Sequence, residues 1–425
     1  MDLTEKAVDR KEKESITHAV DREITQAFEE NGLKSCQELI KKKLNEWKDM
    51  PMNIALIGRS GVGKSSSINA FLGLTADDID KGAAAVGCTE DSGTKTIKEY
   101  KHPDNNQLTF WDLPGGGTPA FPQHSYMEKI DVDKYDFFLL VTKDRFGEID
   151  AWLAEELTKR KKGYFFIRTH VAAAVADYRK AHPKSQRTED HIVAEILGNA
   201  DAQLKNLPTK AAIEIKVFLI DNYELDKYDF SHLQKQLIGN FPEVKREALL
   251  LTLRATNRTM VDQKAECLRS RIWRAAALSA GISVVPIPGT SFAADVVILF
   301  RWTQFYFKQF GLHEESLRRL AQRTGSVDYS ELHAVVMRAF EVEVSTLKAR
   351  NILTFISSLG ISLAAFEAES VAEEVVGLLL PVIGKALAAS MSYVTTFWLL
   401  GQILDKMHAV AIEVYDKANV QHCAA

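Results

Sequence analysis

Gly58-Arg59-Ser60-Gly61-Val62-Gly63-Lys64-Ser65 satisfies GxxxxGK[ST] at every fixed position, between a short apolar run, Asn53 to Ile57, and a helix-like stretch, Ser65 to Leu72. A strand that ends in a tight Gly-rich turn and restarts as a helix leaves few folds open, chiefly α/β folds in which that strand is buried in a mostly parallel sheet. The same turn has a chemical consequence. Glycines let successive N–H groups face one point, and the following helix adds the positive end of its dipole, which together make an anion cradle. The spacing predicts that Gly58, Arg59, Ser60, Gly61, Val62, Gly63, Lys64, Ser65 and Ser66 contact the phosphates of a nucleotide. Lys64 is expected to reach the β- and γ-phosphates and Ser65 to place its hydroxyl on Mg2+. A Gly-rich turn without chemistry is the competing reading, and the strand before it and helix after it weigh against that.

A second motif closes the strand-like run Leu108 to Asp112: Trp111-Asp112-Leu113-Pro114-Gly115 carries DxPG. Placed after a phosphate-binding loop, Asp112 is expected to hold Mg2+ through water, and Gly115 to offer its N–H to the γ-phosphate, which makes Lys64 and Gly115 the candidate catalytic groups. Gly82 to Thr96, small and polar, reads as the mobile loop that senses that phosphate. Its hydroxyls Thr89, Ser92 and Thr94 are alternatives for completing the metal shell, with Thr89 carried forward beside Ser65 and Asp112.

Further strand-like runs at Ile97 to Lys101, Phe137 to Thr142, Tyr164 to Thr169 and Ile215 to Ile220 alternate with helix-like stretches. This predicts a sheet covered on both faces, with Leu108 to Asp112 paired antiparallel to the run before it. Thr4 to Lys48 reads as one or two amphipathic helices broken at Asn31-Gly32, and nearly everything from Pro242 to Lys417 reads as helix. The expected organisation is N-terminal helices over 1–50, a nucleotide domain over 51–241 and a C-terminal helical region over 242–425, with the two helical parts joined in one all-α domain.

At 425 residues, 46% hydrophobic and 26% charged, the chain has the composition of a folded protein. Its net charge of -4 offers no broad basic field for nucleic acid, so none is expected as a partner. Cys36, Cys88, Cys267 and Cys423 show neither CxxC pairing nor zinc-ligand spacing, which fits a reducing cytosol. The start MDLTEKAVDRKEKE lacks a signal-peptide core, Asp2 rules out myristoylation, and Cys423 misses the prenylation position.

With the phosphate loop, FWDLPGGGTPAFP, YDFFLLVTKDRF, YFFIRT and the helical stretch VVPIPGTSFAADVVIL (284–299) in view, the chain resembles the immunity-related, or interferon-inducible, GTPases over most of its length. The resemblance implies a Ras-like domain flanked by N- and C-terminal helices, with GTP or GDP and Mg2+ as ligands. It also implies oligomers formed with copies of itself or related GTPases, a cytoplasmic location with peripheral association with intracellular membranes, and a role in cell-autonomous defence.

The departure is at the base. The family's TKxD motif has its counterpart in Thr169-His170-Val171-Ala172. Thr169 and His170 remain as expected base-side contacts, but Ala172 cannot accept from guanine. Losing charge-assisted hydrogen bonds worth roughly 1.5–3 kcal/mol costs about one to two orders of magnitude in affinity or discrimination. Asp177, from a shifted turn, is one conceivable substitute, and Ile220-Asp221-Asn222-Tyr223 departs from the serine-rich loop that usually supports guanine. Gly116 also stands where a water-orienting Gln is usual, so hydrolysis is expected to be slow unless a partner or self-assembly completes the site. Arg59 is read as solvated, with reach across a dimer as the alternative. Two further readings stay open: a regulatory pseudo-GTPase with little hydrolysis, and a base-tolerant NTPase.

Two uncharged runs, Ala275 to Ala294 and Ala386 to Leu404, approach membrane-spanning length. Their Gly, Pro and hydroxyl residues favour a buried helical core over bilayer insertion. The cluster Trp302, Phe305, Tyr306, Phe307 and Phe310 is assigned to the same core by its helical spacing.

Overall fold

A computed structural model of the chain describes residues 35, 38, 42, 44–86, 96–117, 119–205, 216–255, 257–283, 290–325, 327–340, 348, 352–359 and 383–419. The chain divides into two compact units, one of residues Trp47–Asn257 and one of Met1–Glu46 with Arg258–Ala425.

The first unit is built on a six-stranded sheet in the order β2-β3-β1-β4-β5-β6. Its strands are β1 (Met52–Ile57), β2 (Lys98–His102), β3 (Asn105–Leu113), β4 (Phe137–Thr142), β5 (Gly163–Arg168) and β6 (Val217–Leu219). Strand chemistry follows strand position. The central β4, FFLLVT, is buried at every residue, whereas the edge strand β2, KEYKH, buries only His102 and blunts its open edge with charge. Among the described strands only β2 runs antiparallel, pairing Lys98 with Asp112 and Tyr100 with Phe110. All other pairings are parallel, among them Ile54 with Phe110 and Ile54 with Phe137. From β1 the chain first builds outward on one side, through β3, and then on the other, through β4. The crevice beyond the C-terminal end of β1 is therefore the switch point at which open α/β sheets bind ligands.

Helices α1 (Lys64–Leu72), α2 (Glu148–Lys159), α3 (Val171–Ala181), α4 (Glu189–Lys205), α5 (Phe230–Asn240) and α6 (Glu243–Thr252) complete this unit among the described residues. Phe71 of α1 stacks on Phe110 at 5.1 Å between centroids and meets Phe230 of α5 at 5.0 Å, closing one side of the sheet. A second cluster joins Ile57, Trp111, Leu113, Tyr126, Phe138 and Phe166 to Leu153 and Leu157 of α2.

The expected domain boundary at 241 falls too early, because α6 belongs to the sheet unit. Lys245 reaches Asp136 at 2.8 Å, Asn105 donates to Thr252 Oγ1 at 2.9 Å, and beyond α6 Arg254 donates to Gly73 O at 3.1 Å. Helical periodicity in the sequence carries no record of these long-range polar ties.

The second unit contains α7 (Arg258–Ser283), α8 (Thr290–Gln309), α9 (Glu314–Thr324), α10 (Tyr329–Phe340), α11 (Ile352–Ser358) and α12 (Ile383–Asn419). Leu268 and Ile272 of α7, Ile298 and Leu299 of α8, and Leu400, Leu404 and Met407 of α12 are buried. A polar seam crosses this core: Ser279 of α7 donates to Asp295 of α8 and lies 2.9 Å from Thr396 Oγ1 of α12. Trp302, Tyr306, Phe307 and Phe310 pack inward, while Val394, Phe397 and Trp398 stand partly in solvent. Among the described residues no helix is long and apolar enough to cross a membrane. Most of the expected N-terminal helices, and residues 284–289 of the helical stretch 284–299, lie outside the described residues.

Candidate functional site

The phosphate-binding loop leaves β1 at Ile57 and enters α1 at Lys64. Gly63 adopts φ 91°, in the left-handed region, so that the chain turns into the helix without a side-chain cap. A Cβ at Gly63 would also meet Asn222 Nδ2 and His170 Cε1, each at 3.1 Å, so two other loops close upon the end of this one. At Gly61 a Cβ would meet nothing within 4 Å, which leaves open space beside the loop.

Lys64 folds back over its own loop, its Nζ donating to Gly58 O at 3.0 Å and Arg59 O at 3.1 Å. Its side chain is only 5% exposed. Burial pushes the ammonium below the usual lysine range, and Asp112, whose carboxylate lies 3.7 Å away, opposes that shift. Ser65, one turn-start further, donates its hydroxyl to Asp112 Oδ2 at 3.2 Å. Lysine, hydroxyl and carboxylate thus converge from the start of α1 and the end of β3, although Asp112 is remote from the loop in sequence. A small hard cation prefers such oxygen ligands, few in number and completed by water, and open space beside backbone N–H groups suits a phosphate. The residues present therefore fit both groups.

Gly115 completes this meeting of segments. A Cβ there would stand 3.2 Å from Gly58 O, so the DxPG turn lies directly against the loop. Tyr126 donates its hydroxyl to Pro114 O at 2.7 Å from beneath, and burial raises that phenol far above its ordinary range. Gly116 is buried and faces Tyr126 and Trp152, where an added Cβ would stand 3.6 Å and 3.5 Å from their rings.

On the other flank, Thr169 follows β5 and gives its hydroxyl proton to Val62 O at 2.6 Å. His170 Nδ1 lies 2.8 Å from the same hydroxyl oxygen, which can accept from it because its proton is directed elsewhere. His170 itself has φ 58° and starts α3. Burial, followed by the nearby Lys143 charge, holds its imidazole below the ordinary histidine range, with Asp221 and Asp144 pulling the other way. The ring is therefore neutral at pH 7.

Ala172 lies in the first turn of α3 and brings no polar side chain. The conceivable substitute Asp177 is not at the site: it is well inside the helix, exposed, and paired with Lys180 at 3.4 Å. Extension of α3 from Val171 onward leaves no shifted turn to recruit it. Arg59 and Ser60 are exposed, and Arg59 Nη2 stands 3.7 Å from where a Gly147 Cβ would be. Ser66 Oγ is 3.5 Å from the hydroxyl of the exposed Tyr223. Thr89, Ser92 and Thr94 lie outside the described residues.

One residue of the site was not foreseen in its role. Asn222, beyond β6, donates to Gly63 O at 3.2 Å, and its Oδ1 lies 2.9 Å from Ser67 Oγ. It braces the loop from across the sheet. The signal in the sequence was a polar pair, Asp221-Asn222, at the C-terminal end of a strand, where open α/β sheets place functional groups.

Comparison with known proteins finds the family described as Interferon-inducible GTPase (IIGP) matching residues 17–372. Interferon-inducible GTPase 5 of Rattus norvegicus is 30% identical over 393 residues, which cover 92% of this chain and 81% of that protein. Interferon-gamma-inducible GTPase 10 of Mus musculus is 32% identical over 314 residues, covering 74% of this chain and 73% of its own length. Interferon-inducible GTPase 1 of Mus musculus is 30% identical over 297 residues, 70% of each chain.

Proposed function

Because the chain belongs to the interferon-inducible GTPase family, we propose that it is a nucleotide switch that hydrolyses GTP slowly as a single molecule and faster when copies assemble. GTP binding and GTPase activity belong to the family as such. The nucleotide-switch reading is supported above all by one observation: Lys64, Ser65 and Asp112 meet within hydrogen-bonding or ion-pair distance from two distant segments.

In this reading the N–H groups of Gly61 to Ser65 hold the phosphates, and Lys64 exchanges its loop carbonyls for β- and γ-phosphate oxygens. Ser65 supplies a direct Mg2+ ligand and Asp112 a water-mediated one. The ion, when bound, neutralises charge that develops on the phosphate oxygens. Gly115 offers its N–H to the terminal phosphate in this reading, which its closeness to the loop supports. Among the described residues, Gly116, which stands where a water-orienting Gln is usual, has no side chain and is packed against aromatic rings. Assembly with a second copy or a related GTPase supplies what is missing, and the exposed Arg59 is the candidate for reaching across. The role this reading assigns to the switch is cell-autonomous defence, exercised in the cytoplasm and at the surface of intracellular membranes, in line with relatives named interferon-inducible GTPases.

The test is turnover per molecule measured against protein concentration with Mg2+ and GTP, with ATP and XTP in parallel. A specific rate that climbs with concentration is the expected result. A detectable but flat rate removes the assembly requirement, and binding without turnover at any concentration makes the chain a regulatory pseudo-GTPase.

A further inference from the structure

Ala172 leaves α3 without a carboxylate for the base, but the neighbouring strand end has one. Asp221 follows β6 by two residues and is 7% exposed. One of its oxygens accepts the Tyr223 N–H at 3.0 Å. Among the described residues its other oxygen has no hydrogen-bond partner. That second oxygen is not sealed off from solvent, so a ligand seated between the loops can reach it. A ligand that brings N–H donors would match its acceptor chemistry.

The chain on either side of Asp221 ties it to both halves of the site. Ile220 O accepts the N–H of Val171, the residue before Ala172, at 3.4 Å. Asn222 donates to Gly63 O at 3.2 Å at the end of the phosphate loop. β5 and β6 are parallel neighbours whose last paired residues are Arg168 and Leu219. Thr169-His170 and Ile220-Asp221 therefore leave the sheet side by side, and the His170 ring responds to the Asp221 charge. Of the two loops that flank Gly63, the one after β6 thus brings a carboxylate to the base side, where the start of α3 brings none.

We propose that Asp221 is the specificity-determining residue for the base, accepting the N1–H and 2-amino hydrogens of guanine in the place left by Ala172. The proposal rests on the reading of this site as a guanine-nucleotide site. Guanine presents two neighbouring donors that match the two oxygens of a carboxylate. Adenine sets an acceptor, its N1, where guanine has N1–H, and xanthine sets a carbonyl oxygen where guanine has its amino group. A carboxylate therefore selects guanine against both, whereas an amide in its place can donate to the xanthine carbonyl.

The experiment compares GDP, IDP and XDP binding to the full chain and to Asp221→Asn, with thermal melting of both. The amide keeps an oxygen for the Tyr223 N–H, so the turn is retained. GDP affinity is expected to fall roughly ten- to a hundred-fold in Asp221→Asn while XDP affinity rises, inverting the GDP/XDP ratio. The wild-type chain is expected to bind IDP, which lacks the 2-amino group, about tenfold more weakly than GDP. A wild-type chain that binds GDP, with a variant whose GDP/XDP ratio is unchanged, overturns the proposal and leaves the GTPase reading standing. If the variant melts early, the wild-type comparison decides, and equal GDP and IDP affinity overturns the proposal. A wild-type chain that binds no guanine nucleotide overturns both.

Discussion

His170 illustrates how one substitution changes the physics of the base side. The lysine usual in its place would carry a fixed charge, whereas His170 is held neutral by burial, contacts Thr169 through Nδ1, and lies beside Gly63. An unfolded chain takes up a proton on this residue near pH 6.5, and the folded chain does so only at lower pH. Below that point the unfolded state binds more protons, so the contribution of His170 to stability is complete above pH 6.5 and is lost on acidification. Asn tolerates the left-handed backbone of this position, with φ 58°, and does not titrate. The unfolding free energy of the wild type minus that of His170→Asn, from urea titrations, is expected to be level above pH 6.5 and to decline below it. A difference that rises on acidification would refute the account of this ring. The residue types at the phosphate side were legible because the motif fixes them by spacing. Asp221 and Asn222 were legible only as a departure, since their roles depend on Val171, Gly63 and Ser67, which are distant in sequence.

Strands and helices were easier to read than the ties between them. The buried strands β1 and β4 have apolar runs bounded by turn residues, and α1 follows the glycines that release it. The antiparallel pairing of β2 with β3 matches the expectation for Leu108 to Asp112 and the run before it. The attachment of α6 to the sheet was not legible, because Lys245, Thr252 and Arg254 beyond it look like ordinary surface residues until Asp136, Asn105 and Gly73 are placed beside them. At this scale the bracing of the phosphate loop by the β6 end is testable. Asn222→Ala removes the donor to Gly63 O and the acceptor near Ser67 Oγ. Loss of two such bonds is expected to destabilise the protein by about 1–2 kcal/mol, read as a lower urea midpoint, and to weaken nucleotide binding as the loop loosens. Unchanged stability together with unchanged affinity would mean that Asn222 braces nothing.

For the molecule as a whole, the nucleotide unit, Trp47–Asn257, contains every phosphate-side group named here, while the helical unit keeps its own core and polar seam. Family membership and site geometry point the same way, to a GTP-binding switch protein whose phosphate site lies in the nucleotide unit. The whole account stands on one lysine. Lys64→Ala removes a buried cation from a site that Asp112 shares, so phosphate charge would no longer be offset there. The decisive measurement is the GTP dissociation constant of the full-length protein and of Lys64→Ala in Mg2+, with melting curves to establish that both are folded. The account predicts a loss of about 3 kcal/mol, more than a hundred-fold in affinity. Equal affinity in the two folded proteins would contradict it.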